Sequence, residues 1–144
     1  MASGQYIKQN LLTSDADVTT VRTAAAPTVG YVETTELDCR GFREVDFFVH
    51  VVAYGAMTKL TVRPETGQAL SSSTVQYATY LAESIEDGVA TTHEYEVELN
   101  DPTPANDVVY KVTLPVEGRF VRVQLKVDDA GSSPSVAVYA QRRV

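Results

Sequence analysis

Three glutamates, Glu94, Glu96 and Glu98, occupy every second position of one segment and are the first candidates for chemistry. Alternate residues of a β-strand point to the same face, so these carboxylates are expected to lie side by side. Two carboxylates flanking a glycosidic bond carry out sugar hydrolysis. Alternating glutamates are also typical of a solvated strand, where like charges need water or basic partners from a neighbouring strand. We adopt the second interpretation. The candidate partners are Lys59 and Arg63, or Arg119 and Arg122.

The side chains that act as nucleophiles in enzymes have no catalytic spacing in this sequence. Cys39, the only cysteine, ends an alternating segment, and a free cysteine is most often a small buried apolar side chain. A catalytic thiol requires a nearby histidine in a basic setting, whereas His50 and His93 fall within strand patterns. No G-x-S-x-G motif occurs, and Ser71-Ser72-Ser73 has the composition of a surface loop. We therefore expect a buried Cys39, no catalytic residues and no enzymatic activity.

Acidic pairs near glycine or serine are the possible metal ligands. They are Asp128-Asp129 and the pair Asp15 and Asp17. Calcium needs six to eight oxygen ligands from several directions, and neither pair has the spacing of a calcium loop. The sequence also has no Cys/His cluster for zinc and no glycine-rich loop opening a helix to hold phosphate. We expect solvated turn carboxylates, no metal site, no cofactor-binding residues and no cofactor.

Length and charge restrict the remaining classes of function. A chain of 144 residues fits one domain, and its formal net charge of −7 argues against non-specific binding to nucleic acid or to anionic lipid. The opening MASGQYIKQN lacks the basic-then-apolar layout of a signal peptide. No apolar segment reaches the roughly 18 residues of a membrane span. We expect a protein made in a reducing cytosol, with no nucleic-acid or membrane partner.

The segment Phe42–Glu65 is expected to organise the fold. Val45–Tyr54 is apolar at nearly every position, Gly55-Ala56 supplies a turn, and the residues that follow alternate between apolar and polar. This pattern predicts a β-hairpin whose first strand is central and covered on both faces, and whose second strand has one wet face. The residues assigned to the outward face of the first strand are too apolar for a free surface. They are Phe48, His50, Val52 and Tyr54.

The rest of the chain predicts an N-terminal arm followed by further strands. The arm, residues 1–27, is rich in Thr, Ala, Ser and Asp, with one short strand expected around Tyr6–Leu12. After Pro64 we expect a Gly/Ser/Thr loop, and Asp87-Gly88 is a strong turn signal. A helix through Val75–Glu86 is the alternative to one strand. The predicted strands are Val29–Cys39, Thr74–Leu81, Thr92–Leu99, Val108–Leu114, Arg119–Asp128 and Ser135–Gln141, with a loop at Asn100–Asp107, a turn at Pro115–Gly118 and a hairpin loop at Asp129–Pro134.

Together these elements predict an all-β protein. The fold class is a single-domain antiparallel β-sandwich over residues 28–144, jelly-roll-like, with about eight strands and an extended N-terminal arm over residues 1–27.

The C-terminal segment Gly118–Val144 resembles the closing strands of galactose-binding-like jelly rolls. In that family a G-R-F/Y-V/I-R-V strand precedes a short loop and a V-x-V-Y strand, and this chain reads GRFVRVQLKVDDAGSSPSVAVYAQ. The segment Phe42–Arg63 is similar to an earlier V-x-F-x-V-x-V strand followed by L-x-V. The resemblance implies a jelly roll and, as an alternative function, a carbohydrate-binding module. Its candidate sugar-stacking rings are Tyr54, Tyr77, Tyr80 and Tyr139.

The whole chain resembles the capsid decoration (cement) proteins of tailed bacteriophages. The shared properties are small size, acidity, a single cysteine, strand-rich composition and a Thr/Ala-rich arm. The resemblance implies a structural virion protein, made in the host cytoplasm, that binds the major capsid protein on the outer shell at subunit junctions, with a homotrimer favoured. Binding only the assembled shell would stabilise it by mass action. An arm of this kind either packs along its own domain, which is the commoner outcome, or reaches a neighbour. In a decoration protein residues 1–27 would reach a neighbouring subunit, and exposed tyrosines and Arg142-Arg143 would add interface contacts.

Overall fold

The chain folds into two antiparallel β-sheets that enclose one core. The computed structural model describes residues 18–71, 74–100 and 107–144. These residues form twelve strands and no helix, which confirms the predicted all-β sandwich. The strands are β1 Val18–Ala25, β2 Val32–Glu33, β3 Leu37–Asp38, β4 Glu44–Ala53, β5 Lys59–Ser71, β6 Thr74–Thr79, β7 Leu81–Glu86, β8 Val89–Glu94, β9 Val97–Asn100, β10 Val108–Pro115, β11 Phe120–Val127 and β12 Ser135–Arg143.

The strand order is that of a jelly roll. The first sheet has the order β1-β12-β4-β10. In the second sheet, β2 and β3 pair with one side of β11 and β5 pairs with the other. Strands β9 and β6 then lie end to end along the far edge of β5. Strands β2 and β3 thus form one edge of the second sheet in two pieces, and β9 and β6 form the other edge in two pieces. If each edge is counted as one strand, each sheet has four strands, and the total is the eight of a jelly roll.

Strand β4 is the central strand that its composition predicts. It pairs with β12 on one side and with β10 on the other. Its inward side chains are all buried in the core, and they are Val45, Phe47, Val49 and Val51. On the opposite face Phe48 is also buried, between its register partners Lys111 and Tyr139. His50 on that face is half-buried and Val52 is exposed, so the prediction that β4 is covered on both faces holds for its inner face and only in part for its outer face.

The predicted hairpin between β4 and β5 is wrong, because the two strands belong to different sheets. The connection from Tyr54 to Thr58 crosses the end of the sandwich, and Tyr54 and Met57 both point into the core. Tyr54 is therefore not on the outward face. Gly55 has a φ of 57° and lies against Gly131 and Pro134 of the connection between β11 and β12. That connection, predicted as a hairpin loop, also joins the two sheets.

Strand β5 extends to Ser71, so the Gly/Ser/Thr loop predicted after Pro64 is wrong for the residues from Glu65 to Ser71. Gly67 accounts for part of this extension. A Cβ atom at Gly67 would come within 2.6 Å of the Tyr77 ring, so the glycine makes room for a cross-strand aromatic side chain from β6. Thr74–Leu81 is largely strand, as β6, and the helical alternative through Val75–Glu86 is wrong.

The edges of the sandwich refine two further predictions. The part of the predicted arm that the structure describes includes β1, which pairs with β12 of its own domain and buries Val21. The predicted strand at Tyr6–Leu12 lies outside the described residues. The segment Val29–Cys39 is edge-like as predicted, but it forms the short strands β2 and β3 instead of one.

Candidate functional site

Strands β7 and β8 form a ribbon that stands apart from the sandwich. They pair with each other and belong to neither of the two large sheets. The ribbon turns at Asp87 and Gly88, with φ values of 51° and 76°, as the Asp-Gly signal predicts. The sequence did not predict that the turn would lie at the tip of a free ribbon.

The base of the ribbon is fastened to the sandwich by two tyrosines. The Tyr95 amide donates to the Tyr80 carbonyl at 2.7 Å, and the Tyr80 amide donates to the Pro64 carbonyl at 3.3 Å. The buried Tyr80 side chain donates its hydroxyl to the Pro115 carbonyl at 2.6 Å. Burial raises the pKa of Tyr80 to about 12. The ribbon therefore leaves the second sheet from a fixed point.

Beyond this base the ribbon is apolar, acidic and exposed. Leu81, Ile85 and Val89 are 67 %, 69 % and 64 % exposed. Glu83, on the same face as Leu81 and Ile85, is exposed, and so are Glu86 and Asp87 near the tip. A two-stranded ribbon that packs on nothing is at best marginally stable. Large apolar side chains on such an element are typical of a binding surface.

The three alternating glutamates extend from the end of the ribbon into β9, and basic side chains of β5 face them. Arg63 Nη1 lies 3.0 Å from Glu94 Oε2 and 3.9 Å from Glu96 Oε1, and Lys59 Nζ lies 3.7 Å from Glu98 Oε1. This confirms Lys59 and Arg63 as the partners. The other candidates bind elsewhere, since Arg122 pairs with Glu65 and Arg119 with Asp38.

Arginines also cover aromatic rings on the outer face of the second sheet. The guanidinium of Arg63 lies 3.8 Å from the centre of the Tyr31 ring, and that of Arg122 lies 3.5 Å from the centre of the Tyr77 ring. The Tyr31 hydroxyl donates to Glu96 at 2.6 Å. Burial and this hydrogen bond raise the pKa of Tyr31 to about 12. The sequence reasoning missed Tyr31, which lies far along the chain from Arg63 and Glu96.

A second surface feature lies at one end of the sandwich, where three arginines contact Asp38, two through its carboxylate and one through its backbone carbonyl. Arg40 Nη2 and Arg119 Nη2 each lie 3.1 Å from Asp38 Oδ2. Arg142 donates to the Asp38 carbonyl at 2.8 Å and lies over the Phe42 ring. The hydrogen bonds from Arg119 and Arg40 lower the pKa of Asp38 to about 2. Positive charge therefore exceeds negative charge around Asp38.

An open groove of about 560 Å³ runs beside this cluster. We call it the arginine groove, and its lining includes Arg40, Phe42, Gln68, Val116, Glu117 and Arg119. A neighbouring depression shares Gln68, Glu117 and Gly118 with it and extends it to Leu70, whose side chain is exposed. The lining of the groove thus combines the guanidinium groups of Arg40 and Arg119 with the apolar side chains of Phe42 and Val116 and the carboxylate of Glu117.

The remaining candidates from the sequence occupy structural positions. Cys39 is buried as predicted, and burial raises the pKa of its thiol to about 11. His50 Nε2 lies 2.6 Å from Asp107 Oδ1, in a depression that Tyr139 also lines. His93 is exposed on the ribbon. The structure does not bring His93 or His50 together with Cys39 in a hydrogen-bonded pair among the described residues.

The aspartates fasten connections instead of facing an open site. The Asp128 carboxylate accepts hydrogen bonds from the Thr58 amide at 3.0 Å, the Thr58 hydroxyl at 2.6 Å and the Lys59 amide at 3.1 Å. These bonds, led by the Thr58 hydroxyl, lower the pKa of Asp128 to about 2. Asp129 accepts from the Gly131 amide within its own loop. The pair Asp15 and Asp17 lies outside the described residues.

The two terminal arginines, expected to provide interface contacts, are used within the subunit. Arg142 belongs to the cluster around Asp38. Arg143 lies 2.9 Å from Asp46 and 3.3 Å from Glu44, both on the adjacent strand β4. Their side chains therefore hold the end of β12 against its neighbours.

The described residues also bear on cofactors and membranes. Among them no three His, Cys, Asp or Glu side chains are grouped so that they could hold a metal ion. In the ranges 18–71, 74–100 and 107–144 there is no helix long and apolar enough to cross a membrane. Comparison of the chain with protein-family models and with curated protein sequences found no match.

Proposed function

We propose that this protein is a structural assembly protein that acts by association, and specifically a capsid decoration protein of a tailed bacteriophage. The observation that carries the proposal is the β7–β8 ribbon, which presents Leu81, Ile85 and Val89 to solvent on an element without a packing partner in the described residues. Such a surface is suited to binding another macromolecule. The jelly roll supplies the rigid support, and it is also a fold found in viral capsid domains.

The distribution of charges supports association over catalysis. The carboxylates that could have formed an acid–base pair are Glu94, Glu96 and Glu98, and they face Arg63 and Lys59 at the surface of the second sheet. A carboxyl pair that hydrolyses a sugar lies in a cleft that holds the substrate. These three side chains are 35–54 % exposed and form surface ion pairs, so they lie on an open face of the sheet.

In the proposed mechanism the protein adds buried interface across joints of the shell. Because it binds the assembled shell and not free subunits, each bound copy lowers the free energy of the assembled state. The shell-binding partner is the major capsid protein, and the working form is a homo-oligomer, with a trimer favoured. The acidic net charge of −7 keeps the free protein soluble before it binds.

The alternative function, carbohydrate binding, has weaker support from the tyrosines. A sugar-stacking ring needs an open face, whereas Tyr54 and Tyr80 are buried. Tyr77 has Arg122 over its ring and Tyr31 has Arg63 over its ring. Tyr139, half-buried beside His50, is the remaining candidate ring of the predicted set.

Sedimentation with virus shells tests the proposal. Shells of the source virus are first stripped of this protein. The purified protein is then mixed with these shells in one sample and with unassembled capsid subunits in another, and each sample is centrifuged through a sucrose gradient. We expect the protein to move with the shells and to remain apart from the free subunits. A glycan array run in parallel separates the two functions. Protein that stays at the top of the gradient and binds a glycan would refute the decoration role.

A further inference from the structure

The ribbon and the arginine groove have opposite charges. Within one subunit, neither surface is bound by another part of the described chain. Beyond its base the ribbon carries Glu83, Glu86 and Asp87, and none of the three forms an ion pair with another residue that the structure describes. The ribbon strands pair only with each other, and the groove lining contains no ribbon residue. An intramolecular partner for either surface is therefore not present among the described residues.

The groove is positive although the protein as a whole is acidic, because the four arginines in it or beside it outnumber the two carboxylates of Asp38 and Glu117. Arg40 and Arg119 share the single carboxylate of Asp38, while Arg142 donates to the Asp38 backbone carbonyl, and Arg40 keeps 68 % of its side chain exposed. Arg43 is exposed beside the groove, where its carbonyl accepts a hydrogen bond from the Val116 amide at 2.8 Å. The side chain of Arg43 makes no ion pair with the described residues. The protein has a net charge of −7, so this end of the sandwich differs in sign from the molecule as a whole. A local excess of cations favours binding of an acidic surface such as the ribbon tip.

The apolar parts of the two surfaces also match. The groove offers Phe42 and Val116, both partly buried, and the exposed Leu70 at its extension. The ribbon offers Ile85 and Val89 next to its acidic tip, on opposite faces, because Ile85 pairs with Ala90 and Val89 pairs with Glu86. Each face of the tip thus has an aliphatic side chain beside a carboxylate, which can meet the apolar side chains and guanidinium groups of the groove. Apolar contact supplies the affinity and the charges fix the orientation.

We propose that the β7–β8 ribbon of one subunit binds in the arginine groove of a second copy of this chain. The proposal deepens the proposed function, on which it rests, by naming the contact that forms the homo-oligomer. The two surfaces are different parts of the subunit, so the contact is heterologous, and repeating it around a symmetry axis closes a ring. The occupied ribbon would then gain the packing partner that a two-stranded element needs for stability.

Size-exclusion chromatography with light scattering tests the contact through two complementary variants. The ribbon variant combines Ile85→Asp and Val89→Asp, and the groove variant combines Arg40→Glu and Arg43→Glu. All four side chains are exposed, and far-UV circular dichroism checks that the sandwich is retained. We expect wild type to elute as a closed oligomer and each variant alone as a monomer of 15.7 kDa. Added salt should weaken the wild-type oligomer, since exposed charges contribute to it.

Mixing the two variants gives the decisive result. The ribbon variant keeps an intact groove and the groove variant keeps an intact ribbon, so the mixture has one working contact and no way to close a ring. We expect a complex of twice the subunit mass of 15.7 kDa, with one copy of each variant. Matched controls alter exposed residues elsewhere, with Val29→Asp for the apolar changes and Lys111→Glu for the charge changes, and should keep the wild-type oligomer.

Three outcomes overturn the proposal. They are a wild-type monomer at micromolar concentrations, an oligomer unaffected by both variants, and variants that fail to pair with each other when mixed. Shell binding is measured separately on the same proteins. If wild type sediments with shells while the ribbon and groove are dispensable for the oligomer, only this inference fails. If the variants behave as expected but no form binds shells, the decoration function fails and the contact stands.

Discussion

Replacing Gly55 with alanine tests the finding that the chain between β4 and β5 crosses from one sheet to the other. Gly55 has a φ of 57°, in the left-handed region that favours glycine. A Cβ atom there would lie 2.7 Å from the Pro134 nitrogen and 2.8 Å from the Gly131 oxygen. Both are backbone atoms of the other inter-sheet connection, so neither can move away as a flexible side chain would. In a hairpin turn the same residue would face solvent.

The expected loss of stability is the sum of two effects. Alanine in the left-handed region costs roughly 1–2 kcal/mol. Forcing an extra carbon against fixed backbone adds about 1–3 kcal/mol, as overpacking does in a core. We therefore expect Gly55→Ala to lower the free energy of unfolding by about 2–5 kcal/mol. For a domain of this size that corresponds to a fall in Tm on the order of 10 °C.

Urea unfolding followed by circular dichroism measures this effect against a matched control. Gly41 has a φ of 82°, but an added Cβ atom would meet nothing within 4 Å. Gly41→Ala therefore has the backbone strain without the clash, and should lose about 1–2 kcal/mol. Equal losses for the two variants would refute the reasoning, because they would show that Gly55 is not pressed against the connection at Gly131 and Pro134.

Three further predictions concern buried and hydrogen-bonded groups. Asp38 and Asp128 have folded pKa values of about 2, below the ordinary value of an aspartate, so the unfolded state binds more protons. Their contribution to stability is complete above about pH 4 and is lost as pH falls towards 2. Urea unfolding between pH 5 and pH 2 should therefore show a falling free energy of unfolding, and Asp128→Asn should reduce the slope of that free energy against pH. Cys39 is buried, and burial raises the pKa of its thiol to about 11. A thiol reagent at pH 8 should therefore label the folded protein only as fast as the protein opens, and should label it rapidly in urea. Rapid labelling of the folded protein would contradict this. Tyr80→Phe removes the hydrogen bond to the Pro115 carbonyl and should cost about 1 kcal/mol or slightly more in urea unfolding, because the carbonyl loses its side-chain partner; an unchanged midpoint would contradict the anchoring role of Tyr80.

Local sequence patterns predicted most strands and one set of surface ion pairs. The alternation in Arg119–Asp128 and the apolar segment from Val45 correspond to β11 and β4. Residue type also predicted cationic partners for the alternating glutamates, and Lys59 and Arg63 are the one of the two predicted pairs that the structure places opposite them. These predictions succeeded because they depend on neighbours within a strand or on one adjacent strand.

Predictions that depended on which sheet a strand joins were wrong. Gly55-Ala56 and Asp129–Pro134 have turn compositions, but a turn composition is compatible with a hairpin and with a crossing between sheets. The extension of β5 was missed because Gly67 reads as a loop residue, while its role is to accommodate the Tyr77 ring. The arginine groove was missed since Asp38, Arg119 and Arg142 are far apart in sequence.

Local patterns in the sequence were enough to predict that the protein is all-β, that β4 is a central strand, and that the chain turns at Asp87 and Gly88. Those properties follow from side-chain periodicity and from the backbone freedom of glycine, which are local. Two properties could be seen only in the folded chain: the turn at Asp87 lies at the tip of a ribbon outside both large sheets, and Arg119 meets Arg40 at the Asp38 carboxylate. Both depend on how two sheets stack, and that choice is made by contacts between residues distant in the chain.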